Sequence, residues 1–128
     1  NIDLENIEGI EATYKASTDG RNFAVSGGVA KAVVNSLKKL EPGFEAKVVS
    51  AQGLAECKKM MMLAKAGKYN GYLLEGMACP GGCVAGAGTM QPITKSAAAV
   101  GIFAKQAPME LCCDTPYIDE LDDLIEEE

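Results

Sequence analysis

Histidine is missing from all 128 residues. That absence removes imidazole general bases, Ser-His-Asp triads and zinc chemistry that depends on His ligands. Tryptophan is missing too, and aromatics make up only 5% of the chain. The core must therefore come from Ala, Val, Leu, Ile and Met. Positive charge is scarce: 12 Lys and Arg stand against 18 Asp and Glu, for a net charge of −6. This balance argues against a nucleic-acid surface, which needs a basic patch. Long apolar runs are lacking as well. The strictly apolar stretch 97–100 is far below the roughly 18 residues that a bilayer span requires, so no membrane partner is expected.

What is present fits one α/β domain. The length suffices for a single core, and 48% of the residues are apolar. Five cysteines are an odd number, and their clustering does not resemble a secreted disulfide framework. A reducing, cytoplasmic setting with thiols free to act as ligands is the expectation. Chemistry must then rest on thiols, carboxylates, backbone groups or a bound cofactor.

Residues 1–20 (NIDLENIEGIEATYKASTDG) form a polar lead-in, and residues 21–128 one subdomain. NFAV, residues 22–25, is predicted as a short buried strand, with Ser26 as N-cap of the helix that follows. In that helix Val29, Val33, Leu37 and Leu40 recur on one face. Pro42-Gly43 ends it, and FEAKVVS, residues 44–50, reads as a second strand. A helix over 52–66 carries Leu54, Cys57, Met61 and Ala64 on its apolar stripe, and Met60-Met61-Met62 reads as core filler. Residues 72–78 form an apolar run of strand length, interrupted by Glu75 and Gly76, which suggests a central parallel strand covered on both faces. The order β-α-β-α-β implies a parallel sheet with crossover helices. Beyond it come a helix over 93–106, a last short strand at MELCC (109–113), and a final helix started by Thr115-Pro116, with Ile118, Leu121 and Ile125 on one edge.

Two cysteines sit at a suggestive place. Cys79 and Cys83 are separated by Pro80, Gly81 and Gly82, directly after the last apolar strand. Ligands of open parallel sheets bind beyond the carboxyl ends of strands, where Ser26-Gly27-Gly28 is also expected. Pro and two Gly prevent a continuous helix, so both sulfurs can face one concavity. Glycine amides there can reach bound sulfide or another anion. Soft thiolates without histidine favour an iron–sulfur cluster over a hard metal. The spacing alone equally admits two buried thiols. A P-loop, a dinucleotide fingerprint and a thioredoxin-type C-x-x-C are all incomplete here. Cys112 and Cys113, adjacent on a strand, would face opposite sides, while Cys57 lies on a helix stripe and reads as packing.

The run Glu75-Gly-Met77-Ala-Cys79-Pro-Gly-Gly-Cys83-Val-Ala-Gly86, followed by Gln91-Pro92, resembles the third cysteine signature of the iron-only hydrogenases, E-x-M-A-C-x-x-G-C. Phe23-Ala-Val-Ser-Gly-Gly-Val29 is similar to that family's F-G-A-T-G-G-V segment. Lys47-Val-Val-Ser and Ala66-Gly67-Lys68-Tyr69 resemble the stretch between. The resemblance implies that Cys79 is a thiolate ligand of the 4Fe–4S cubane of the H-cluster. Cys83 would bridge that cubane to the two-iron subcluster, with Phe23, Ala24 and Met77 lining the pocket. It implies reversible reduction of protons to dihydrogen, with ferredoxin or another electron carrier as partner. The family's other signatures, T-S-C-C-P and M-P-C-x-x-K, do not occur in this sequence. The chain is thus expected to be the C-terminal half of a catalytic domain, with no catalytic residue of its own. It would be without a complete cofactor and inactive unless joined by the N-terminal half. The glycine cluster is altered as well: Ala87 stands within it and two extra residues precede Gln91, marking a divergent member. The alternative is a hydrogenase-like protein of iron–sulfur cluster assembly or sensing.

Overall fold

In the computed structural model, which describes residue 6 and residues 16–118, the chain is α/β. Among these residues two parallel strands, β1 (Lys47–Gln52) and β2 (Tyr72–Met77), form the sheet. Four helices among them accompany it: α1 (Thr18–Arg21), α2 (Gly28–Leu40), α3 (Leu54–Lys65) and α4 (Ile93–Lys105). The strands pair in register from Lys47 opposite Tyr72 to Gln52 opposite Met77, with α3 as the crossover. Successive residues of a strand point to opposite faces. Glu75 bonds to the start of α2, whereas the Cα of Gly76 faces Cys57 and Met60 of α3. The two helices therefore lie against opposite faces of β2, but they cover it only in part: Glu75 is buried while Tyr72 and Gly76 stay exposed.

The expected parallel α/β class holds, but two of its strands are absent. NFAV is no strand: Asn22–Ala24 forms a 3₁₀ turn. The reason is crowding from both sides. Ser17 caps α1 by accepting from Gly20 N–H (3.0 Å), and Asn22 closes that helix with its side-chain NH₂ on Thr18 O (2.8 Å). Gly28 N–H then returns to Val25 O (2.9 Å), so the chain doubles back at once. MELCC is not a strand either, and Cys112–Asp114 is another 3₁₀ turn. The carbonyls of Met109 and Glu110 instead accept from Thr18 N–H (2.9 Å) and Asp19 N–H (3.1 Å), two first-turn amides of α1 that no intrahelical partner serves. With both strands gone, β2 is not a central strand among the described residues.

Other boundaries shift for local reasons. The N-cap of α2 is Gly27, at φ +88°, and Ser26 makes no cap. The second strand begins at Lys47 rather than Phe44, and α3 begins at Leu54, after Gly53. The buried face of α3 lies one position from the expected stripe: Met60 is 6% exposed, while Met61 is 59% exposed and Leu54 and Met62 are also open. The side of α3 that lies on β2 is the one carrying Cys57 and Met60, whose side chains stand beside Gly76. In α2 the small residues Ala30 and Ala32 are buried, whereas Leu40 is 69% exposed and Val33 is open. Thr115 to Ile118 make a turn (Ile118 N–H to Thr115 O, 3.2 Å); the rest of the expected final helix lies outside the described residues. Lys39 at the end of α2 pairs with Asp114, which raises the lysine pKa, first through their hydrogen bond and then through charge.

Candidate functional site

Cys79-Pro80-Gly81-Gly82 is a β-turn closed by Gly82 N–H on Cys79 O (3.0 Å). Proline stands second and Gly81, at φ +93°, stands third, the residue types that a type II turn demands. A short 3₁₀ turn, Cys83–Ala85, follows at once. The two cysteines thus flank one tight bend at the carboxyl end of β2, Cys79 half-buried and Cys83 exposed.

This bend and the Ser26-Gly27-Gly28 turn are in direct contact. Ser26 N–H donates to Gly81 O (3.1 Å). At Gly82 a Cβ would stand 2.6 Å from Ser26 N and 2.7 Å from Ala24 O, so glycine here admits the neighbouring backbone. From the sheet side, Gly53 N–H donates to Met77 O (2.8 Å), and Gly81 N–H to Gln52 Oε1 (2.5 Å). The amides of Gly81 and Gly82 are therefore already bonded within the protein. They do not face outward to an anion, which corrects the expectation from sequence.

Sequence reasoning passed over Glu75 and Gln52. Glu75 is 8% exposed, and its carboxylate accepts from Gly27 N–H (2.6 Å, Oε2) and Ala30 N–H (3.0 Å, Oε1). Helix α2 has no side-chain cap of its own. Its first-turn amides, at the positive end of the helix dipole, take a carboxylate from the sheet instead. A signal did exist in the sequence: a lone acid within an apolar strand must find partners, because an unpaired buried charge is costly.

The remaining site residues are spread around α2. Ala24 touches the bend through its carbonyl. Phe23 lines an apolar cavity of about 310 Å³ with Val33, Leu37, Leu40 and Cys112. Met77 lines a second, of about 260 Å³, with Val29, Val33 and Glu75. The two cavities share Val33, and neither is lined by Cys79 or Cys83. Of the other thiols, Cys57 donates to Met77 O (3.5 Å) behind the bend, and Cys112 accepts from Ser17 Oγ (3.5 Å). The former is packing, as expected; the latter sits in a 3₁₀ turn rather than on a strand.

As a donor set, two thiolates on one bend suit a soft metal or an iron–sulfur cluster. They supply half of what a cubane takes. Among the described residues no group of three or more His, Cys, Asp or Glu side chains is placed to hold a metal ion. The set fits a cluster whose other ligands come from elsewhere. Among the same residues no helix is long and apolar enough to cross a membrane.

In comparisons with known proteins, the family model for the C-terminal domain of the iron-only hydrogenase large subunit matches residues 1–87. No curated protein matches the chain.

Proposed function

Because the chain belongs to the family of C-terminal domains of iron-only hydrogenase large subunits, we propose that it forms part of a catalytic domain that interconverts protons and electrons with dihydrogen. Cys79 and Cys83 would hold the H-cluster, Cys79 on the cubane and Cys83 between the cubane and the two-iron subcluster. Phe23, Ala24 and Met77 would wall the two-iron pocket. When bound, the cluster would supply the redox chemistry; the chain would present two thiolates on a backbone fixed by the contacts of the bend. The observation that carries this reading is the clamped bend. Two soft ligands flank one turn whose backbone is pressed against Ala24 and Ser26, the segment that also places Phe23.

The missing ligands and the proton relay are assigned to a polypeptide carrying the T-S-C-C-P and M-P-C-x-x-K signatures, with ferredoxin or a similar carrier as electron partner in the cytoplasm. Unburied apolar surface supports such a partner half. Leu37 and Leu40 of α2 line an open cavity, and Phe44 and Tyr72 line another beside it.

The test is to reconstitute the chain, alone and co-expressed with that N-terminal half, using iron, sulfide and a synthetic two-iron complex. Hydrogen evolution is expected from the pair, lost in Cys83→Ser, and absent from the chain alone. Robust turnover by the chain alone would overturn the division of ligands. Uptake of the cubane without hydrogen evolution by the pair would favour the assembly or sensory reading.

A further inference from the structure

The geometry points to Glu75 as the positioning residue of the cysteine bend, a role that rests on the ligand reading of Cys79 and Cys83 given above. The carboxylate does more than cap a helix. It bolts β2, four residues before Cys79, to Gly27 and Ala30, the first turn of α2. The residues just ahead of that turn are the ones the bend leans on, through Ser26 N–H to Gly81 O and the close approach of Gly82 to Ala24 and Val25. The chain thus makes a closed circuit: from Glu75 along β2 to Met77, through Cys79 to Gly81, across to Ser26, and back by Gly27 to Glu75. Gln52 braces the same bend from β1. Within this circuit the carboxylate sets how far the thiols stand from the Phe23–Ala24 turn.

Length matters as well as charge. Aspartate keeps the charge on a shorter stem and cannot span both amides from the same strand position. Glutamine keeps the length and one acceptor oxygen but loses the charge, and its NH₂ turns a donor towards one of the two backbone amides. Positioning by reach therefore ranks the variants Glu, Gln, then Asp and Ala together. A purely electrostatic cap would put Asp ahead of Gln.

The experiment uses the whole chain in two arms. In the first, Cys57, Cys79, Cys112 and Cys113 are replaced by Ser and a nitroxide is placed on Cys83. Broadening of the Ala24 to Gly28 amide signals then reports the distance from bend to turn. Strong broadening is expected with Glu75, weaker broadening in Glu75→Gln, and loss in Glu75→Asp and Glu75→Ala. In the second, the cysteine-intact chain is titrated with cobalt(II) alone and its thiolate-to-cobalt absorption followed. Affinity should fall about tenfold in Glu75→Asp and by less in Glu75→Gln.

Equal broadening in all four proteins overturns the inference, as does an Asp variant that outperforms Gln. Should the variants fail to fold, hydrogen exchange of the parent decides: Gly27 and Ala30 amides must be protected as well as the β1–β2 ladder, and free exchange there overturns it too. Loss of broadening in Glu75→Asp, in a chain that binds no cobalt, upholds the positioning and overturns the ligand reading.

Discussion

At the scale of single residues, glycine does two different jobs in the loops that meet at the site, and substitution separates them. Gly82 needs both a positive φ and an empty Cβ position, since added atoms would meet Ser26 N and Ala24 O. Gly27 needs only the positive φ, because nothing lies within 4 Å of its Cβ position. Gly82→Ala should therefore cost about 2–4 kcal/mol, strain plus overlap. Gly27→Ala should cost about 1–2 kcal/mol from the left-handed backbone alone. Urea denaturation of both variants checks the difference. The same scale shows what a sequence can and cannot reveal about such a site. Cys79 and Cys83 were legible because Pro80, Gly81 and Gly82 punctuate the chain within five residues, and turn chemistry is local. Glu75 was visible as an interruption of an apolar run and as the first position of the cysteine signature, but neither showed what its carboxylate does. Its partners, Gly27 and Ala30, stand 48 and 45 residues away, and no local pattern encodes that distance.

At the scale of elements, the three longer helices and the two paired strands were readable from the sequence, whereas α1 and the two strands expected at NFAV and MELCC were misread. Gly53 and Gly67 bracket α3, and Pro92 and Pro108 bracket α4, so their limits fell within a residue or two of expectation. A strand, by contrast, is defined by a partner edge. NFAV has strand composition but no edge to pair with once Ser17 and Gly28 have folded the chain on either side. The phase of α3 was also misjudged, because it follows from how the helix lies on β2, with Cys57 and Met60 beside Gly76, rather than from the helix's own pattern. Met60→Ala should accordingly lose about 2–4 kcal/mol, while Met61→Ala stays within about 0.5 kcal/mol of the parent; thermal or urea melts distinguish them. The Lys39–Asp114 pair ties α2 to the Cys112–Asp114 turn. Because the lysine pKa is raised in the folded chain, the pair's contribution is complete below the ordinary lysine value and disappears as pH climbs through the raised one. The gap in melting temperature between the parent and Lys39→Met should be small and flat around neutrality, then close at alkaline pH. Both charges are largely exposed, so added salt should narrow it as well.

For the whole molecule, the notable property is how little is sealed. The residues buried in the described part are mainly small: Ala30, Ala32, Ala51 and Ala104 with Val84 and Met60. Val33 lines three neighbouring cavities, and the apolar side of α2 stands open beside them. On the proposed function, the N-terminal half would cover this apolar surface. The purified chain should bind anilinonaphthalene sulfonate under native conditions, with fluorescence suppressed when the proposed N-terminal half is added. A chain that stays dark to the dye would contradict the picture. The site itself is closed by contacts between distant stretches, Gly27 with Glu75 and Ser26 with Gly81, and such pairings form late because long loops must first be drawn together. A growing polypeptide has therefore spun out the whole of its β-α-β unit before its two sulfurs acquire a fixed address. On the proposed reading, a cluster has to arrive at a finished cradle, and gentle loosening of these contacts would release it before the ladder beneath comes apart.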